Sequence, residues 1–211
     1  MKLSKSSCLA VLAILSATVE ANANPTVVNF DDAYAALGNG GQPTNFYSAK
    51  GLTIGGNYSG VWGGNGNGNP GNWALEGTNG SAFLGVNSDS QKPIFTWSTP
   101  VDDLSLDIGV PGFGWTETIA VSGYLNGNLV ATYDETITSP SNPGNWDVVD
   151  FSSPVTSVTA QIISGNGFAF GIDNVSWNPG AAASVPDEGS TLTLLGFALI
   201  AVGAVRRKFR F

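Results

Sequence analysis

The chain has 211 residues, with sixteen acidic and eight basic side chains, no histidine and a single cysteine, Cys8. Between residues 24 and 179, thirteen acidic residues stand against two basic ones, Lys50 and Lys92, and this charge repels a phosphate backbone. These features exclude a nucleic-acid partner, a Ser-His-Asp triad, a Cys-His pair and a histidine-based zinc site.

The first 23 residues have the three parts of a secretory signal peptide. Lys2 and Lys5 provide the positive start, residues 9–15 (LAVLAIL) form a short apolar run, and Ala21 and Ala23 are the small residues before a cleavage site. We therefore expect signal peptidase to cut after Ala23 and the mature chain to lie outside the cytoplasm. Cleavage also removes the cysteine, so the body must be stable without a disulfide.

Residues 24–179 are predicted to form one all-β domain. Short runs rich in β-branched and aromatic residues are separated by Gly, Asn, Ser, Asp and Pro, and only residues 32–37 suggest a helix. Asn126-Gly127 between two such runs predicts a type I′ hairpin turn. The regular spacing predicts a β-sandwich of the jelly-roll type, in which the first and last strands come together. The predicted strands are 26–30, 51–54, 82–86, 94–97, 104–108, 118–124, 129–133, 146–151, 155–163 and 169–177.

Four tryptophans are candidate ligand-binding residues. The sequence NPGNW occurs at 69–73 and again at 142–146, so that Trp73 and Trp146 each follow a Pro-Gly turn, and Trp62 and Trp115 also stand among glycines. Sugar rings stack on exposed aromatic side chains, which makes a glycan-binding surface one interpretation. The alternative is that Trp73 and Trp146 begin strands and point into the core, whereas Trp62 and Trp115 are expected to be exposed.

The carboxylates allow two further interpretations. Asp31, Asp32 and Asp173 offer the hard oxygen ligands that calcium prefers, and pairing of the first and last strands would bring them together. The alternative is that Asp31 or Asp32 caps the short helix while Asp173-Asn174 forms a polar bulge. For glycoside hydrolysis, Glu76 and Glu117 each lack a suitably spaced carboxylate partner, so no catalytic residues are assigned and the protein is expected not to be an enzyme.

The end of the chain has a tripartite pattern. Residues 180–189 form a linker that ends in Val185-Pro186-Asp187-Glu188-Gly189, residues 190–205 form an apolar segment, and residues 206–211 carry a basic cluster. A helix over 190–205 would be roughly 24 Å long, and the basic residues after it predict a membrane helix with its C-terminus in the cytoplasm. A plain membrane anchor is the alternative interpretation.

This tail resembles the PEP-CTERM class of sorting signals, and most closely its VPDSG variant, although Glu188 stands where that variant usually has serine. The resemblance implies recognition by an exosortase-type membrane protease and delivery to the cell surface or extracellular matrix. The segments 28–32, 51–54 and 171–175 also resemble parts of the jelly-roll bodies found ahead of such tails.

Together these features predict a non-enzymatic surface or matrix protein that associates with extracellular polysaccharide, with structural calcium as an optional ligand. The alternatives are a polysaccharide-active enzyme that uses a carboxylate pair and a purely structural matrix protein.

Overall fold

The computed structural model describes residues 24–63, 82–111, 114–139, 145–165 and 169–180. The predicted cleavage site at Ala21 and Ala23, Trp73, Glu76 and the whole tail from residue 181 lie outside these residues. Within the described ranges, no helix is long and apolar enough to cross a membrane.

The described residues form an all-β structure, which confirms the predicted class. A short 3-10 helix spans Ser48–Lys50, and a single α-helix, α1, spans Asp31–Leu37 in the part of the chain that is described. The strands are β1 Thr26–Val28, β2 Leu52–Asn57, β3 Gly60–Trp62, β4 Phe83–Val86, β5 Lys92–Val110, β6 Trp115–Leu125, β7 Asn128–Ser139, β8 Asn145–Phe151, β9 Val155–Gly165 and β10 Phe170–Pro179.

The strands belong to one antiparallel sheet in the order β3-β4-β10-β5-β9-β6-β7, with β1 added to β10, and β2 and β8 added to β5. Strand β5 joins two half-sheets: β2, β9, β6 and β7 belong to one, and β1, β3, β4, β10 and β8 belong to the other. Residues 92–97 lie between β2 and β9, whereas residues 104–109 lie between β10 and β8. The ladder between β5 and β9 shifts register between Thr96 and Val101, which is where the strand passes from one half-sheet to the other.

The two half-sheets face each other across the core. Tyr133 on β7 and Phe151 on β8 belong to different half-sheets, yet their ring centroids are 5.0 Å apart. Gly123 on β6 also lies directly against Phe151, because a Cβ at this position would come within 2.4 Å of the ring. Alternate residues of β5 fill the space between the halves and are almost fully buried; they include Leu104, Leu106 and Ile108. The jelly-roll assignment within this all-β architecture stays a prediction.

The predicted strands are found, most of them with longer bounds; β1 is shorter than the predicted 26–30 and β4 is shorter than the predicted 82–86. The predicted hairpin is confirmed: Leu125 pairs with Asn128, and Asn126 and Gly127 have φ values of 51° and 83°, as a type I′ turn requires. The separation of 94–97 from 104–108 is wrong, since both belong to β5 and Pro100 sits at the shift in register. Strand β3 was not predicted, because its three residues lie in a glycine-rich segment with no alternating pattern.

Candidate ligand-binding site

A row of four glycines crosses the outer face of one half-sheet. Gly60, Gly85, Gly171 and Gly109 stand opposite one another on β3, β4, β10 and β5, and Trp146 on β8 ends the row. Residues opposite each other on paired strands project to the same face. The next residues along these strands belong to the core, so alternation places the glycine row on the face away from it. Because the row has no side chains, other groups approach the sheet closely: the Gly40 backbone lies against Gly60, where a Cβ would come within 2.5 Å of it, and a ring can lie against Gly109.

The Trp146 side chain occupies the space over Gly109. A Cβ at Gly109 would come within 2.5 Å of the Trp146 indole, so the ring lies directly over the glycine. The indole extends toward β4, where it meets Phe83 edge-on with ring centroids 6.2 Å apart. Trp146 is half-buried and belongs to this outer cluster, not to the main core, although the second position of β8 had suggested a core residue.

Two further tryptophans join the same group. Trp62 on β3 stands opposite Phe83 on β4. Trp115, at the start of β6, packs against both this group and the main core. Phe83 is fully buried, whereas Trp62 and Trp115 are half-buried and not exposed as predicted. We call this group the tryptophan cluster; it comprises Trp62, Phe83, Trp115, Trp146 and Ala169.

The sequence did not identify Phe83 and Ala169 as site residues. Phe83 lies in Phe83–Val86, where all four residues are buried, so the strand shows no alternation that would assign Phe83 to the outer face. The opposite strand β3 supplies Trp62, and only the pairing of β3 with β4 brings these two rings together. The register between strands therefore decides the composition of the cluster.

Two carboxyl groups border the tryptophan cluster. Asp173 on β10 stands opposite Asp107 on β5, two residues along from Gly171 and Gly109 and on the same outer face. Asp173 is fully buried and its Oδ1 accepts a 2.7 Å hydrogen bond from the Asn174 backbone N–H. The Asn174 side chain donates a 2.8 Å hydrogen bond to Asp107 Oδ2.

Asn174 lies at a β-bulge. Its φ is 45°, and the ladder between β10 and β5 shifts register between Asp173 and Ser176. Asparagine adopts this left-handed conformation more readily than most residues, and its short amide can bond locally. The bulge that the sequence offered as an alternative for Asp173-Asn174 is thus present.

The carboxylates at the start of α1 have protein partners. Asp31 accepts hydrogen bonds from the Ala82 backbone N–H at 2.8 Å and from the Asn29 amide at 2.9 Å. Asp32 Oδ1 accepts a 2.6 Å bond from the Tyr47 hydroxyl and a 2.9 Å bond from its neighbour's backbone N–H. The helix begins after Phe30, which has a φ of 64°, so neither aspartate occupies the cap position.

The first and last strands pair, as predicted: Thr26, Val27 and Val28 stand opposite Trp177, Ser176 and Val175. Across the described ranges, no group of three or more His, Cys, Asp or Glu side chains is arranged to hold a metal ion. Calcium binding by Asp31, Asp32 and Asp173 stays a prediction, which a comparison of Tm values with calcium and with chelator tests.

Burial changes the chemistry of the tyrosine beside Asp32. Burial, followed by the hydrogen bond to the Asp32 carboxylate, raises the pKa of Tyr47 well above its ordinary value of 10.0. Burial also raises the pKa of Tyr58, whose hydroxyl lies 3.1 Å from the Thr44 hydroxyl. Both hydroxyls therefore stay protonated at neutral pH and act as neutral hydrogen-bonding groups in the fold.

Residues 184–209 match the VPDSG-CTERM motif. The match covers the predicted VPDEG segment, the apolar run and most of the basic cluster, and it confirms the resemblance drawn from the tail. No curated protein matches the chain.

Several solved β-domains resemble the body at low identity. A cleaved adhesin domain of Lys-gingipain from Porphyromonas gingivalis is 12% identical with a TM-score of 0.47, over 75% of this chain and 100% of that one. A mutant carbohydrate-binding module of family 29 is 18% identical with a TM-score of 0.38, over 74% and 92% of the two chains. A family 32 module of NanJ from C. perfringens, in complex with galactose, is 18% identical with a TM-score of 0.36, over 60% and 94%.

Proposed function

We propose that this protein is exported, sorted through its C-terminal VPDSG-CTERM tail to the cell surface or matrix, and associates there with extracellular polysaccharide. The sorting part of the proposal rests on the motif match at residues 184–209, together with the secretory pattern of residues 1–23. Signal peptidase and an exosortase-type membrane protease are the processing partners that these two segments call for. A jelly-roll body is the proposed scaffold.

The observation that carries polysaccharide binding is the convergence of Trp62, Trp115 and Trp146 from three different strands around one outer-face cluster. Each indole is half-buried, so packing restrains the ring while part of its surface stays accessible. The apolar face of a sugar stacks on such a ring, and neighbouring carboxylates such as Asp107 accept hydrogen bonds from sugar hydroxyls. Binding of this kind needs no catalytic group.

The test is affinity electrophoresis of the full chain, purified in a non-ionic detergent, through gels that contain soluble neutral polysaccharides. Trp62→Ala is expected to weaken retention about tenfold, because the stacking surface is lost. The matched control is Trp97→Phe, since Trp97 packs on Trp177 in the core with centroids 5.6 Å apart. The control is expected to lower stability and leave retention unchanged.

The result also separates the alternatives. Equal retention of wild type and Trp62→Ala would contradict binding through the tryptophan cluster. Retention of neither, on any polymer, would favour a purely structural matrix protein. Release of new reducing ends from the same polymers would identify an enzyme.

A further inference from the structure

We propose that the tryptophan cluster takes uncharged polysaccharide chains and discriminates against polyuronates and sulfated glycans. This inference rests on the proposed function, because it names the chemical class of ligand for the same cluster. It follows from the charges that surround the cluster and from the positions of the cations in residues 24–179.

Carboxyl groups approach the cluster from three strands. Asp173 and Asp107 lie on the outer face, each two residues along its strand from the glycine row that Trp146 ends. Glu117 is two residues from Trp115, on the same face of β6, and is fully buried. An anionic ligand on the cluster would therefore be brought close to several acidic groups.

The two lysines of residues 24–179 do not lie in the strand rows that form the tryptophan cluster. Lys50 donates a hydrogen bond to the Val27 carbonyl at 3.3 Å, and its Nζ lies 5.4 Å from the centre of the Tyr47 ring. Lys92 begins β5, opposite Asn57 on β2. Neither lysine stands in the glycine row or in the row of Asp107 and Asp173. Recognition of a carboxylate or sulfate normally uses an Arg or Lys that pairs with it, and these rows contain none.

The size of the discrimination follows from Coulomb's law. Two like charges about 8 Å apart in water change an equilibrium constant about twofold, so Asp107 together with the net charge of −11 on residues 24–179 gives about a tenfold effect. Salt screens this repulsion, because the Debye length falls from about 10 Å at 0.1 M to about 3 Å at 1 M. Stacking of an uncharged chain has no such salt dependence.

The experiment compares alginate with carboxyl-reduced alginate, which has the same backbone without the charge, alongside dextran, galactomannan and hydroxyethyl cellulose. The full chain is tested in non-ionic detergent at low and high salt. We expect the carboxyl-reduced polymer to bind about tenfold more tightly than alginate at low salt, with the difference closing at high salt. Asp107→Asn, which keeps the side-chain shape and an acceptor for Asn174, is expected to narrow the low-salt difference about twofold.

Trp62→Ala separates this inference from the proposed function. If alginate binds as tightly as its reduced form at low salt, and Trp62→Ala abolishes that binding, charge discrimination is wrong while polysaccharide binding through the cluster stands. If no polymer in the panel shows binding that depends on Trp62, both proposals are overturned.

Discussion

At the scale of single residues, the position of the Trp146 indole on the outer face depends on the absence of a side chain at Gly109. Gly109 is the residue over which Trp146 lies, and the missing Cβ lets the indole reach Phe83 across the sheet. The glycine is required here for close approach and not for its backbone angle. Its substitution should therefore act through the ring.

Gly109→Ala is expected to destabilise the protein by about 1–3 kcal/mol, because the new methyl group overlaps the Trp146 indole and forces it to move. Urea unfolding measures the loss, and polysaccharide retention should fall in parallel. Gly55→Ala is the matched control: a Cβ there has no neighbour within 4 Å, so unfolding should change by less than about 0.5 kcal/mol. Similar losses in both variants would show that the indole does not depend on Gly109.

The raised pKa of Tyr47 makes the stability of the protein depend on pH. Because burial and the Asp32 hydrogen bond raise the folded-state pKa above 10.0, the unfolded chain loses this proton first as pH rises. The contribution of Tyr47 to stability is thus fully present below pH 10 and is lost progressively above it. Alkaline solution should therefore favour the unfolded state.

Tyr47→Phe is expected to lower the free energy of unfolding by about 1.5–3 kcal/mol at neutral pH, since it removes a hydrogen bond to a charged carboxylate. Above pH 10, the difference between wild type and variant should shrink. Urea unfolding at a series of pH values measures this, with Tyr124→Phe, on a half-exposed ring, as the control. A difference that stays constant or widens above pH 10 would contradict the interpretation.

At the scale of elements, β5 and the β6–β7 hairpin organise the fold. Strand β5 pairs with four others and contributes side chains to the core along its length. The hairpin depends on two consecutive residues with positive φ, a conformation that an Asn-Gly pair adopts at low cost. Strand β5 is therefore stabilised mainly by burial, and the β6–β7 hairpin by the backbone conformation of its turn.

Ile108→Ala tests the burial of β5. Ile108 is fully buried between the half-sheets, so the truncation should cost about 2–5 kcal/mol in the free energy of unfolding. Ile163→Ala on β9 removes the same group from a side chain that is 54% exposed and should change unfolding by less than about 0.5 kcal/mol. A small effect at Ile108 would mean that the core is not centred on β5.

Gly127→Ala tests the turn. Its φ is 83° and a Cβ would contact nothing within 4 Å, so the whole cost is conformational, about 1–2 kcal/mol. Asn126→Gly keeps the positive φ accessible and is expected to leave stability within about 0.5 kcal/mol. Equal urea midpoints for Gly127→Ala and wild type would argue against the type I′ turn.

At the scale of the whole molecule, the body is expected to act outside the cell only if both terminal segments are processed. We expect the mature protein to begin at Asn24, to lack the basic residues after 205, and to be found in the surface or matrix fraction. Mass spectrometry of both termini, combined with cell fractionation, measures this. Deletion of residues 185–211 removes the matched motif and should release the protein into the medium. An intact 211-residue chain in the cytosol would overturn the export proposal.

The all-β class, most strand positions, the Asn-Gly turn and the sorting tail can be predicted from the amino-acid sequence. Each of these depends on neighbouring residues: alternation of apolar side chains, turn residues at fixed positions, or a motif within about 26 residues. The sequence could also single out Trp62, Trp115 and Trp146 as unusual, because it places them among glycines and turns.

The meeting of these tryptophans depends on how distant strands pair in the folded protein. Phe83 and Ala169 complete their cluster, and Gly60, Gly85, Gly171 and Gly109, from four separate strands, align into the row that Trp146 ends. Register between strands distant in sequence sets these neighbours, and one residue of slip would turn every side chain to the opposite face. No local pattern encodes that register, since it results from burying Leu84, Ile108 and Ile172 together in the core.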